Sequence, residues 1–205
     1  MTTVFLHAFP LDERMWGGHG VAPRLYGRGR TMADWASSLL GELDGELVLV
    51  GASMGGYCAL AMARQAPDRV RALLLVGSRP DADSPERREG RAKTFELIRE
   101  QGPQALWEDM KPKLFADPSH ADESLLHDNA DDLVAALEAV RDRQDNTDVA
   151  RATKTLFVVG DRDPYVSADD LRGFDVRELA GAGHLINLER PEEFDAILEE
   201  FLARV

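Results

Sequence analysis

Cysteine is almost missing from this chain: Cys58 stands alone among 205 residues, so no internal disulfide can form. A single cysteine inside an apolar helical stretch reads as packing rather than as a reactive thiol. Long apolar runs are missing too, and no basic segment precedes the first strand. That pattern offers no spanning helix and no secretory leader, and a cytoplasmic location is expected. Positive charge is in deficit, with 24 Lys and Arg against 37 Asp and Glu and a formal charge of −13. Such a field repels nucleic acid and anionic membranes, and no basic stripe offsets it, so neither is an expected partner. Metal-ligand spacing is also lacking. His7, His19, His120 and His127 form no histidine pair with a nearby carboxylate, and no metal or cofactor is expected.

What is present is a regular alternation of patterns. Hydrophobic residues make up 44% of the chain, enough for one substantial core and a single domain. Apolar runs near residues 3–7, 19–22, 46–50, 71–77, 154–159 and 175–179 read as strands, with helical patterns between them. The alternation predicts an α/β fold, a mainly parallel sheet of about six strands with helices on both faces. Residues 1–78 and 149–205 form its core, and residues 79–148 read as a helical cap inserted between two strands. In the core, Thr31 and Asp34 have capping-box spacing ahead of a helix through Trp35, Leu39 and Leu43. In the cap, Ser84-Pro85 starts a helix, Gly102-Pro103 ends it and starts another, and a third covers 122–142. The charged stretch 80–91 reads as a solvated face. The last helix begins at Pro191 and buries Phe194, Ile197, Leu198, Phe201, Leu202 and Val205 along one stripe.

The chemistry concentrates at three strand ends. The run Leu47-Val48-Leu49-Val50 enters Gly51-Ala52-Ser53-Met54-Gly55 and leads into a helix. In that context G-x-S-x-G places a serine on a tight, strained turn at the carboxyl edge of a parallel sheet, beside free helix N-terminal amides. A serine hydroxyl needs a base and an orienting acid. Asp161 and Asp163 both follow the strand ending at Val159, and His184 follows the strand Val176–Leu179. Either aspartate is placed to approach His184. The chain order is serine, aspartate, histidine, which differs from the two common protease orders.

These segments, together with Leu6-His7-Ala8-Phe9-Pro10, Ala66-Pro67-Asp68-Arg69-Val70, Arg143-Gln144-Asp145-Asn146-Thr147 and the run from Glu189 to Phe194, span nearly the whole chain. In that order they resemble an α/β-hydrolase of the group holding carboxylesterases, enol-lactonases and cofactor-free haloperoxidases. The resemblance implies a triad of Ser53, His184 and Asp163, with the acid third after Gly160 and Asp161 left as a turn residue bonding its own backbone. It implies an oxyanion site from the backbone N–H groups of Phe9 and Met54, although Ala8 stands where the family usually has glycine. Two N-terminal strands usual in the family are absent, so this is a trimmed version of the fold with residues 20–22 at the sheet edge. Pro23 blunts that edge, and a homodimer through it stays open. Trp107, Met110, Leu114 and Phe115 are candidates for the pocket roof. The expected activity is hydrolysis of a small carboxylic ester or lactone through an acyl-enzyme. Perhydrolase, haloperoxidase or C–C bond hydrolase chemistry would use the same triad, and a slow small-ligand receptor is the rival from another class.

Overall fold

The strands of this chain are too apolar to face water on either side. A computed structural model describes residues 1–205, and its sheet runs β1 (Thr2–Leu6), β2 (Leu47–Ala52), β3 (Val70–Val76), β4 (Lys154–Gly160) and β5 (Asp175–Leu179), in that spatial order. Every pairing is parallel. β2 is buried along its whole length, as expected of a parallel strand covered on both faces.

Alternate side chains of each strand enter opposite layers. Leu47, Leu49, Leu73, Leu75, Phe157 and Val159 belong to one core cluster, with α1 (Met32–Glu42), α2 (Met54–Gln65) and α5 (Thr147–Ala152). Val48, Val50, Leu74, Val76 and Val158 belong to the other, with α6 (Ile186–Glu189) and α7 (Pro191–Leu202). The capping box forms as spaced: Thr31 Oγ1 accepts from Asp34 N at 3.1 Å, and Asp34 Oδ2 accepts from Thr31 N at 3.2 Å. Cys58 is buried, and desolvation pushes its thiol up to about 12, which leaves it inert.

The sheet has five strands, and the expected strand at 19–22 is reduced to one parallel bridge, Val4 to Val21. Gly17, Gly18 and Gly20 all have positive φ, so the segment turns too sharply for a ladder, and Pro23 has no N–H to extend it. That remnant still lies beside β1, while β2 pairs with the other side of β1. The chain therefore reverses its direction of travel across the sheet at β1, and the carboxyl ends of β1 and β2 flank a topological switch point, where open α/β sheets bind ligands.

Residues 79–148 contribute α3 (Pro85–Leu114) and α4 (Ala130–Arg141). α3 is two helices in line, broken at Gly102, whose φ of 79° and ψ of −177° are not helical. The helix expected over 122–142 starts at Ala130 instead. A carboxylate cap and a carboxamide cap decide this: Asp122 accepts from Ser124 N to begin a separate short turn that stops at Leu125, and Asn129 accepts from Asp132 N to begin α4. Leu126, expected on that helix, pairs with Leu11 in an antiparallel bridge. The segment packs into both core layers, through Phe95, Ile98 and Leu133 on one side and Trp107 and Leu114 on the other.

Candidate active site

Ser53 follows β2 and is the one residue other than glycine with positive φ, at 48°, with ψ of −109°. A side chain held there is strained, and the surroundings must hold it. Ser53 N donates to Val76 O at 2.7 Å, and Ser53 O accepts from the amides of Gly56 and Tyr57 as α2 begins. The turn closes only because its glycines leave room: a β-carbon on Gly51 would lie 2.5 Å from Gly56 N, and one on Gly55 would overlap the Leu6 carbonyl.

The two loops beyond β4 and β5 deliver the other groups. Asp163 Oδ1 accepts the amides of Tyr165 at 2.8 Å and Val166 at 3.3 Å, which fixes the carboxylate plane. Its Oδ2 accepts from His184 Nδ1 at 2.7 Å, with both side chains buried. The carboxylate therefore sets the tautomer, proton on Nδ1 and lone pair on Nε2. Asp161 does something else: its Oδ1 accepts from Gly181 N at 2.6 Å and leaves the ring alone. That bond crosses to the β5 loop, so Asp161 ties two loops together rather than bonding its own turn.

Phe9 and Met54 line the same cavity as Ser53 and His184. Their N–H groups donate to no acceptor in a turn, loop or cap. Ala8 is buried without positive φ, so alanine is no strain there, and its N–H points at Met15 Sδ, 3.1 Å away. The loop is braced by His7. Its Nε2 accepts from Leu25 N at 2.9 Å, so Nδ1 carries the proton and faces Ala8 O at 3.3 Å. Desolvation lowers the His7 pKa to about 4, which keeps the ring a neutral brace rather than a base.

The cavity holds about 440 Å³. Ser53 Oγ and His184 face it without a hydrogen bond between them, a contact that commonly tightens only around a substrate. Tyr165 closes one side, its ring 4.9 Å from the His184 ring at 66°, and burial pushes its phenol up to about 12, so it stays protonated.

A family model described as the alpha/beta hydrolase family matches residues 3–197. The chain belongs to that family. Among solved structures, this alpha/beta hydrolase is similar over its whole length to a thermophilic esterase from Thermogutta terrifontis with malate bound, at 29% identity and a TM-score of 0.84 over 90% of that chain. A carboxylesterase structure from Nitrososphaera gargenis matches 98% of the chain and 90% of its own, at 25% identity and a TM-score of 0.79. An enol-lactonase from Burkholderia xenovorans LB400, at 23% identity and a TM-score of 0.78, shares the fold over 98% of this chain and 91% of its own. In sequence, a pimeloyl-[acyl-carrier protein] methyl ester esterase of Aromatoleum aromaticum is 34% identical over 95 residues. That match spans 38% of this chain and 37% of the relative, well under two thirds of its length.

Three residues of this hydrolase have structural roles that its motifs did not reveal. Ser78 is buried with its hydroxyl 3.0 Å from Ser53 O, behind the Ser53 turn. Gly77 has φ of 54°, and a β-carbon there would lie 2.7 Å from His184 O and 2.9 Å from the ring. Glu189, buried, accepts Gly183 N at 2.6 Å and Asp117 N at 2.7 Å, clamping the histidine loop to the cap. The position of Glu189 five residues after His184 is the one sequence signal for it. Of the four roof candidates, Met110 and Leu114 line the cavity. Trp107 and Phe115 do not: they pack edge to face, 6.4 Å apart, in the core layer beneath. The stretch 107–114 is helical, so it presents only one face to the cavity, and Phe115 leaves the helix in an extended conformation.

Proposed function

We propose that the protein is a serine hydrolase that cleaves small carboxylic esters or lactones through an acyl-enzyme. The carrying observation is the buried Asp163–His184 hydrogen bond of 2.7 Å, opening on one cavity with Ser53. His184 Nε2 takes the Ser53 proton as the hydroxyl attacks the carbonyl, and the Asp163 charge stabilises the imidazolium that forms. The N–H groups of Phe9 and Met54 receive the oxyanion; removing one such donor elsewhere costs about 3 kcal/mol. His184 then protonates the leaving alcohol, and a water deprotonated by the same ring releases the acid. A cavity of about 440 Å³ lies at the small end of ligand sites, which favours short acyl groups. The names of the esterases above support the ester bond as the target. A single inert thiol and an acidic chain suit a cytoplasmic setting.

Ser53→Ala tests the reading. It should abolish hydrolysis of short chromogenic esters while the far-ultraviolet spectrum stays unchanged, and a phosphonylating reagent should add mass at Ser53 in the wild type alone. Labelling at another serine overturns the nucleophile. Binding without turnover of any ester in the wild type overturns the enzyme in favour of the receptor.

A further inference from the structure

The catalytic cavity of this strongly acidic chain has a cationic mouth. Arg79, Arg87, Arg91 and Lys113 line it, against Asp83 and Asp109. Lys113 and Asp109 cancel, paired at 2.7 Å on α3. The arginines do not cancel. Asp81 lies between Arg79 and Arg87, and Asp83 lies between Arg91 and the buried Arg143. A third carboxylate, Asp170, reaches only Arg79, at 3.4 Å. Four guanidiniums thus share three carboxylates. The neighbouring guanidiniums hold Asp81 and Asp83 below the usual carboxylate range, so both stay charged and the surplus is positive.

Nor are the donors spent. Arg87 Nη1 is buried without an acceptor, and Arg91 uses only Nε and Nη2, both on Asp83. Residues 87, 90, 91 and 94 all line the cavity, at the spacing of one helix face. Gly90 stands in the middle of that face, where a β-carbon would meet nothing within 4 Å. The stretch expected to be a solvated face is therefore a half-buried wall with a notch between two arginines, and Asp83 in it is fully covered.

We propose that the substrate carries a second, free carboxylate besides the ester that is cleaved, and that this carboxylate seats across Gly90 between Arg87 and Arg91. The reacting end of this proposal rests on the esterase reading; the carboxylate seat does not. A planar guanidinium binds a carboxylate oxygen pair far better than it binds an alkyl group. In a field set by a net charge of −13, a local positive mouth is also what an anionic substrate needs to enter.

The test compares monomethyl glutarate with methyl pentanoate, which present the same ester on chains of equal length. Wild-type kcat/KM should favour the anionic ester about ten-fold, the scale of one charge-assisted hydrogen bond, and the preference should shrink with added salt. Arg87→Gln should lower that ratio through KM, and Arg87→Lys should restore part of it. Arg88→Gln, on the exposed side of α3 and paired with Asp142, should leave the ratio unchanged. In Ser53→Ala, calorimetry should show monomethyl glutarate binding more tightly than methyl pentanoate. Hydrolysis of both esters at equal efficiency overturns the carboxylate seat and keeps the esterase. Tighter binding of the anion without turnover in the wild type keeps the seat and overturns the esterase. Equal loss of both activities in Arg87→Gln overturns the seat as well.

Discussion

At the carboxyl edge of the sheet, a β-carbon on Gly55 would overlap the Leu6 carbonyl, and one on Gly183 would lie 2.5 Å from Ala116 N. On α3, a β-carbon on Gly90 or Gly102 would meet nothing within 4 Å. The first region is built by close approach, where the backbone itself fills the space a side chain would take. The second is built by omission, where missing side chains leave a break and a notch. Chemistry that must hold a hydroxyl, a ring and two amides in register belongs to the first kind of construction. The second region is the one in which side chains can change without moving the chain, as the proposed carboxylate seat requires.

The largest expected effect separates two neighbouring aspartates within the tight region. Asp163→Asn presents His184 with the wrong tautomer and should lower kcat by about 10⁴-fold, the scale of other triads. Asp161→Asn loses only the bond to Gly181 N and should cost far less. Steady-state kinetics of both variants settles the matter, and equal losses would reverse the roles. Next, Gly55→Ala should cost about 3 kcal/mol or more in urea unfolding, because all three colliding atoms are backbone. A loss below about 1 kcal/mol would show the edge to be more yielding than its geometry implies.

A third effect depends on pH. In the unfolded chain His7 takes up a proton as pH falls through 6.5, whereas burial keeps the folded ring neutral down to about 4. The unfolded state binds more protons in that window, so His7 lowers stability progressively as pH falls through it, by about 3 kcal/mol at pH 4. His7→Gln keeps an acceptor for Leu25 N and does not titrate. Its stability relative to wild type should therefore improve from pH 7 toward pH 4, and a constant difference would show that the ring is charged when folded. The smallest effect lies in the open region. Gly90→Ala should raise stability by roughly 1 kcal/mol, the helix-propensity difference with no steric cost. A loss there would mean that the notch is filled in the native protein.

The same contrast explains what could be read from the sequence. The strained turn at Ser53 was legible because strand, glycine spacing and helix are all local, and the parallel sheet followed from the unbroken apolar runs. The choice between Asp161 and Asp163 required the partners each one meets, Gly181 and His184, which are 20 and 21 residues away. The strand at 19–22 failed because its apolar signal was short and its glycines bend the backbone. The charged stretch 80–91 misled for a different reason. Its arginines and aspartates pair with one another across a fold in the chain and leave positive charge over, and Arg143, fifty residues further on, completes the set with its guanidinium stacked 4.0 Å from the Tyr57 ring. Composition registers such charges but not which of them are covered.

The amides of His184 and Leu185 both donate to Leu114 O, at 3.0 and 3.1 Å, at the far end of the helix that carries Arg87 and Arg91. Glu189 adds a second fastening through Asp117 N and Gly183 N. Helix α3 is thus the mount of the histidine loop as well as the rim of the entrance. Swapping residues 79–148 for the corresponding insert of another hydrolase would import a new rim and a new mount together. A chimera that keeps the native Leu114–Asp117 junction, with the graft ending before Leu114, would let the entrance be exchanged while the histidine stays in its seat.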